Sequence, residues 1–188
     1  MLIAMKTKDY VIVSLAPFAV LWIPFVGNLV SKSWHWQLHD FVLFWFIIAG
    51  ATYFYRLLAT QKIANLAYKA GAAVAILAGF LLTWVNLAVQ VIGDDNPGNG
   101  LYFLVLLVGA LGAGTSRFQP AALAKVAFSM ATALLLVPVV AVAFWPFDFS
   151  PGFPMVFVLN LGFVAMFAFS GLLFHHAASQ QSRANVAT

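Results

Sequence analysis

Long, uninterrupted apolar runs restrict what this chain can fold into. A helix needs about 20 mainly apolar residues to cross a bilayer. Because backbone groups in lipid must be paired internally and the runs do not alternate as in a membrane barrel, we predict helices. The six predicted spans, of which the fourth is short, cover residues 10–30, 38–59, 66–92, 100–116, 121–146 and 153–175.

The composition supports a lipid-embedded chain. Of the 188 residues, 64% are hydrophobic and only 7% are charged, whereas soluble domains carry roughly 25% charged residues. A soluble fold of this length would lack the polar surface to cover its apolar side chains. The predicted fold class is therefore all-α, a polytopic membrane helical bundle in one domain spanning 1–188, with the lipid bilayer as its main partner.

The basic residues predict the orientation, because Lys and Arg mark the cytoplasmic side of a membrane protein. If the chain crosses six times, Lys32 alone falls on the opposite side, which predicts that both termini are cytoplasmic. We expect Arg56 to extend to the lipid interface and the polar tail after His176 to be mobile. The net charge of +4 is no nucleic-acid signal in such a chain. The basic residues on the predicted cytoplasmic side are Lys6, Lys8, Arg56, Lys62, Lys69, Arg117, Lys125 and Arg183.

Catalytic and cofactor-binding patterns are weak in this sequence. The chain has no Cys and no Glu, which excludes disulfides and thiolate metal sites. No nucleophile elbow, phosphate loop or set of facing His pairs for a transmembrane haem is present. The sequence therefore favours a protein that is not an enzyme, predicts no catalytic residue and leaves any cofactor or metal unspecified.

A polar stripe descends the third predicted span. Thr83, Asn86, Gln90 and Asp94 follow one another at spacings of three and four, which places them on one helical face. Amides facing lipid are costly, so this face should point into the bundle or toward water. The stripe is either a polar path opening under the acidic turn or, as is more frequent, a set of hydrogen bonds between helices.

The turn after this span holds paired carboxylates. Gly and Pro suit its backbone, and Asn99 is expected to cap the fourth helix. A structural turn is the default interpretation, and a cation site is the sharper alternative, since hard ions take several oxygen ligands. Asp40 follows His39 at the outer end of the second span. His35 and His39 are four residues apart and share a face if the helix starts early enough, so they could bind a metal with Asp94 or Asp95 as a third ligand, although solvated or hydrogen-bonded His residues are more common.

The middle of the chain resembles a group of small bacterial inner-membrane proteins of unknown function. The resemblance lies in Trp84–Val89, Ile92-Gly93, Asp95-Asn96-Pro97, Asn99 and Tyr102, with further similarity at Asp40-Phe41 and Arg117–Pro120. The chain departs from that pattern at Gln90, where a small residue is expected. The resemblance implies a bacterial inner-membrane location and transfers no ligand or catalytic role.

The sequence thus leads to two functional hypotheses. The first is a small-solute or cation-handling protein with an outward-facing polar vestibule. The alternative is a non-catalytic subunit or scaffold that packs with partner helices, either in a homo-oligomer or in a membrane complex. The predicted ligand-binding residues of the vestibule are Asp40, Asn86, Gln90, Asp94, Asp95, Asn96 and Asn99.

Overall fold

The computed structural model describes residues 5–33, 35–61, 63–93, 95–145 and 152–186 and contains six helices and no strand within these ranges. Five helices are long and apolar enough to cross a membrane, while α4 is shorter with 17 residues. The predicted all-α, multi-pass membrane architecture is confirmed at this level. The helices are α1 Thr7–Val30, α2 Leu38–Ala59, α3 Leu66–Val89, α4 Asn99–Thr115, α5 Pro120–Phe144 and α6 Gly152–Val186.

The helices group into two compact units, Met1–Lys62 and Ile63–Thr188. In the first unit, α1 packs against α2. Asn28 joins the two helices near their shared turn, because its amide donates to the Trp36 carbonyl oxygen at 2.7 Å and accepts from the Trp36 N–H at 3.1 Å. Both backbone groups of one residue are thereby paired by a single side chain.

The second unit, hereafter the four-helix unit, is a ring in which each helix has two neighbours. Helix α6 packs against α3 and α5, and α4 packs against the same two helices. The ring encloses one apolar core, which includes Leu82, Leu134, Phe163 and Phe167. A polar side chain buried among these residues therefore lies in apolar surroundings.

Small residues allow helices of the four-helix unit to approach one another closely. Gly71 of α3 lies against Phe174 of α6, where a Cβ atom would come within 3.3 Å of the ring. Gly109 of α4 lies against Met130 of α5, where a Cβ atom would displace the end of the Met130 side chain. Gly71 and Gly109 therefore lie at close helix contacts, whereas a Cβ on Gly114 would meet nothing within 4 Å.

The turn between α4 and α5 is held by a tyrosine from α3. Arg117 and Phe118 both have positive φ angles, 51° and 59°, a backbone region that non-glycine residues seldom adopt. The buried Tyr68 hydroxyl donates to the Phe118 carbonyl oxygen at 2.9 Å. This bond pairs a backbone acceptor of the strained turn that would otherwise be buried alone.

Two helices end at residues other than the ends of the approximate predicted spans. Helix α3 ends at Val89 rather than at 92, and Gln90 has a left-handed backbone with φ 48°. Helix α6 continues to Val186 instead of ending at 175, so the segment after His176 is helical rather than the mobile tail expected. Hydropathy marks the part of a helix that suits lipid, and it does not mark where the helix itself stops.

Candidate functional site

The predicted capping role of Asn99 is not what the structure shows. Helix α4 begins at Asn99 itself, and its N-cap residue is Gly98. The Asn99 side chain reaches back across the turn, accepting from the Ile92 N–H at 3.0 Å and donating to the Gly93 carbonyl oxygen at 2.8 Å. Asn99 thus fastens the end of the α3–α4 turn to its beginning.

The other amides of this turn are also engaged by the backbone. The Gln90 side-chain oxygen accepts from the Asp95 N–H. Asn96 accepts from the Gly98 N–H at 2.8 Å, and its amide nitrogen donates to the Trp145 carbonyl oxygen at 3.4 Å. These bonds favour a structural role for the amides, while Asp95 is exposed.

The acidic pair itself is only partly described, since Asp94 lies outside the described residues. Gln90 also leaves the predicted stripe, because α3 has ended before it. Of the stripe on α3, Thr83 and Asn86 remain on the helix. The hydroxyl of Thr83 donates to the Gly79 carbonyl oxygen at 2.8 Å within its own helix, which leaves Asn86 as the member that reaches another helix.

Asp40 serves the start of α2. Its carboxylate accepts from the Gln37 N–H at 2.8 Å, as in a capping box, and lies 3.3 Å from the His39 ring. The helix begins at Leu38, so His35 does not share a helical face with His39. Within the described residues, no group of three or more His, Cys, Asp or Glu side chains is arranged to hold a metal ion.

Asn86 begins a set of buried polar side chains inside the four-helix unit. It is only 3% exposed. Its amide nitrogen donates to the Asn99 carbonyl oxygen at 2.9 Å, joining α3 to α4. Its amide oxygen is buried and has no hydrogen-bond partner in the protein.

Asn160 on α6 compensates for a proline on α5. Proline has no N–H, so Pro138 cannot pair the carbonyl oxygen of Leu134, four residues earlier in the helix. The Asn160 amide nitrogen donates to that oxygen at 2.7 Å. Asn160 is 1% exposed, and its own amide oxygen is buried without a partner in the protein.

Tyr102 on α4 contributes a third unpaired polar atom. The side chain is completely buried in the apolar core of the four-helix unit, and its hydroxyl has no partner in the protein. Buried polar groups are almost always hydrogen-bonded, and each exception requires an explanation. Three such exceptions, Asn86, Tyr102 and Asn160, therefore occur within one small unit.

Two of these side chains lie at one level of the bundle. Asn86 bonds to Asn99, and Tyr102 follows Asn99 by three positions on α4. At 1.5 Å of rise per residue, the Cα of Tyr102 lies about 4.5 Å from the level of that bond. Side chains of a helix tilt toward its N-terminus, which brings the Tyr102 ring back toward Asn86.

Asn160 lies deeper in the four-helix unit than this pair. Gly98, the N-cap residue of α4, approaches Ala141 of α5, and Leu134 lies seven residues, about 10.5 Å, from Ala141 along the antiparallel α5. Asn99 and Tyr102 lie about 1.5 Å and about 6 Å from Gly98 along α4. The bond between Asn160 and Leu134 is therefore about 4.5 Å deeper than the Cα of Tyr102 and about 9 Å deeper than the level of the bond between Asn86 and Asn99.

We call Asn86, Tyr102 and Asn160 the polar layer. It consists of one side chain from each of α3, α4 and α6, and Asn160 bonds the carbonyl oxygen that Pro138 of α5 leaves unpaired. Asn86 was among the predicted site residues, but Tyr102 and Asn160 were not. The available signal was Pro138, because a proline inside a membrane helix frees a carbonyl that requires a donor from elsewhere.

The first unit holds a partly buried ion pair that was not predicted from the sequence. Asp9, on α1, is 1% exposed and pairs with the guanidinium of Arg56 on α2. The second Asp9 oxygen accepts from the Lys6 N–H at 2.9 Å. Arg56 therefore does not extend freely to the lipid interface as expected, and its Nε atom is buried without a partner in the protein.

Comparison of the chain with protein-family models, with curated proteins and with solved structures gives no match.

Proposed function

We propose that this chain is a multi-pass protein of a bacterial inner membrane that handles a small solute or a cation through its four-helix unit. The polar layer carries the proposal, since three buried side chains, each with an unpaired oxygen atom, follow one another within about two helical turns of an otherwise apolar interior. Polar residues inside membrane helices are costly and commonly mark solute or ion pathways. Asn86 of the predicted stripe remains a proposed binding residue. The proposed contact with the solute lies inside the four-helix unit and not at the α3–α4 turn.

The proposed topology has six crossings with both termini on the cytoplasmic side. The distribution of basic residues supports it, because eight of nine fall on one side under this threading. Helix α4 is included as a crossing although its 17 residues span only about 25 Å. The bacterial inner membrane follows from the resemblance of the Trp84–Val89 region.

A cysteine-free chain allows a direct test of this topology. Ser33→Cys and Ser182→Cys place single thiols at exposed positions beyond α1 and near the end of α6. We expect a membrane-impermeant maleimide to label the first variant in intact spheroplasts and the second only after permeabilisation. Labelling of both variants in intact spheroplasts would contradict the proposed threading.

The scaffold alternative is favoured by one observation. Asn96, Asn99 and Gln90 all use their amides to hold the α3–α4 turn, which needs no ligand. A scaffold predicts that the protein purifies with a fixed membrane partner and that its reconstituted form conducts nothing.

Flux measurements on reconstituted protein separate the two functions. Proteoliposomes would be tested with Na⁺, K⁺, urea, water and ammonia against protein-free liposomes. We expect at least one flux above the control, lost in Asn86→Leu and retained in Thr132→Val, which alters an exposed hydroxyl of α5. Flux equal to protein-free liposomes for every probe, or unchanged flux in a folded Asn86→Leu variant, would refute the proposal.

A further inference from the structure

We propose that one end of the four-helix unit binds the headgroups of anionic phospholipids, and that Arg117 is its positioned contact. Binding at this end is independent of the solute proposed above. Three observations support it: the separation of charge along the unit, the depth of the basic residues, and the way in which the turn that carries Arg117 is held.

The charges of the four-helix unit are divided between its two ends. Its three acidic residues, Asp94, Asp95 and Asp148, fall in the α3–α4 and α5–α6 connections. Its basic residues lie near the starts of α3 and α5, in the α4–α5 turn and near the end of α6. We call them the basic end: Lys69, Arg117, Lys125 and Arg183. All four are exposed, and the ion pairs formed among the described residues include none of them, so their positive charge is uncompensated.

Contacts with α6 place two of these residues at one level. Gly71 on α3 lies against Phe174 on α6, and Lys69 stands two residues, about 3 Å, nearer the start of α3. The ring of Phe128 on α5 lies against Gly171 on α6, and Lys125 stands three residues, about 4.5 Å, nearer the start of α5. Measured along α6, Lys69 and Lys125 therefore differ in depth by about 3 Å.

This depth suits lipid headgroups. Lys69 and Lys125 lie about 4.5 Å and about 7.5 Å inside the starts of their helices, Leu66 and Pro120. Leu66 shares a helical face with Lys69, lies one turn nearer the end, and is 84% exposed. A soluble acidic partner would approach beyond such an apolar side chain, whereas a lysine at this depth extends to the phosphate level of the lipid. Each basic residue near an anionic membrane surface strengthens binding by about fivefold.

The α4–α5 turn fixes the position of Arg117. Arg117 and Phe118 have consecutive positive φ angles, 51° and 59°, and such backbone persists only where its surroundings hold it. The buried Tyr68 hydroxyl supplies one such contact, since it donates to the Phe118 carbonyl oxygen at 2.9 Å. Because Lys69 follows Tyr68, this bond also brings the chain segments of Lys69 and Arg117 together. A guanidinium held in this way can pair two phosphate oxygens of one headgroup.

A local reporter tests the choice of lipid. Gln119→Cys places a single thiol at an exposed position of this turn in the cysteine-free chain, and the thiol is labelled with bimane. The protein is reconstituted in phosphatidylcholine that contains either phosphatidylglycerol or phosphatidylcholine with a nitroxide near the top of one acyl chain. We expect phosphatidylglycerol to quench the bimane more strongly. At Ser33→Cys, close in sequence to both Lys32 and Asp40, the two lipids should quench equally. Equal quenching by the two lipids at Gln119→Cys, or the same preference at both reporters, overturns the proposal.

Arg117→Gly tests the contact residue without endangering the fold. Glycine suits a φ of 51°, so this variant should fold at least as well as the parent while it loses the charge. We expect the preference for phosphatidylglycerol over phosphatidylcholine at the Gln119→Cys reporter to fall by about fivefold, and Arg117→Lys to retain most of it. An unchanged preference in Arg117→Gly overturns the proposal.

Tyr68→Phe separates positioning from charge. It keeps every basic residue and releases the Phe118 carbonyl oxygen from its donor. We expect the preference to fall in the same direction as in Arg117→Gly, but by less. A preference equal to that of the parent would show that charge alone attracts the lipid and would overturn the positioning of Arg117.

Discussion

Replacing Asn160 should be costly only while Pro138 is present. Asn160→Leu keeps the branching of the side chain and removes the amide that pairs the Leu134 carbonyl oxygen. Pro138→Ala restores a backbone N–H one turn after Leu134, so the helix can pair that oxygen itself. The two substitutions therefore form a double-mutant cycle around a single carbonyl.

The coupling free energy between Asn160 and Pro138 should lie near the upper end of the range for polar bonds between membrane helices. Polar bonds between membrane helices average about 0.6 kcal/mol and reach about 1.7 kcal/mol, while leaving a buried acceptor unpaired costs about 1–3 kcal/mol. Leu134 is 0% exposed, and its oxygen lies 2.7 Å from the Asn160 nitrogen. We expect a coupling free energy of about 1.5 kcal/mol, with Asn160→Leu less destabilising in the Pro138→Ala background. Asn160→Leu also removes an unpaired oxygen, and Pro138→Ala also removes side-chain volume. Each of these effects is the same with and without the other substitution, so it cancels from the coupling free energy.

The free energy of unfolding of the four proteins would be measured by titration with sodium dodecyl sulfate in mixed micelles, followed by tryptophan fluorescence. Pro24→Ala provides the control background, since Pro24 is a buried proline of α1 in the first unit and far in sequence from Asn160. We expect no coupling between Pro24→Ala and Asn160→Leu. Equal costs of Asn160→Leu with and without Pro138 would refute the compensation argument.

Two further predictions concern the ends of the helices. Gln90 ends α3 with a left-handed backbone, which costs a non-glycine residue about 1–2 kcal/mol. The free energy of unfolding of Gln90→Gly, measured by denaturant titration, should therefore exceed that of Gln90→Ala by about 1 kcal/mol. Equal free energies of unfolding would contradict backbone strain at Gln90. Asp9→Asn and Arg56→Gln should each lower Tm by breaking the ion pair in which the Asp9 carboxylate is buried. The double variant should fall no further than the less stable single one, and additive losses would show that the pair does not act as a unit.

The sequence was sufficient for the helices and insufficient for the polar contacts between them. The second helix begins and ends where hydropathy predicted, at Leu38 and Ala59, because its polar flanks coincide with its ends. Helix α6 extends beyond the end of its predicted span, because the polar segment after His176 is also helical. Hydropathy reports where lipid contact ends, which differs from where hydrogen bonding ends.

The polar layer could be predicted in part. Asn86 was found because it belongs to a stripe with helical spacing, whereas Asn160 stands among apolar neighbours and forms no pattern with them. Its partner is 26 residues away and becomes evident only when Pro138 is recognised as freeing a carbonyl. The Asp9–Arg56 pair spans 47 residues, and nothing local to either residue indicates the other.

The unbroken course of α6 gives it the mechanics of a rigid lever. From Asn160 to Arg183 the helix continues for 23 residues, about 34 Å, with no proline in between. A change of about 10° in its tilt at Asn160 would carry Arg183 sideways by about 6 Å, by the geometry of a rod of that length. The same tilt would move Gly152, about 12 Å from Asn160 in the other direction, by only about 2 Å, so a small movement at the start of α6 becomes a movement about three times larger at Arg183.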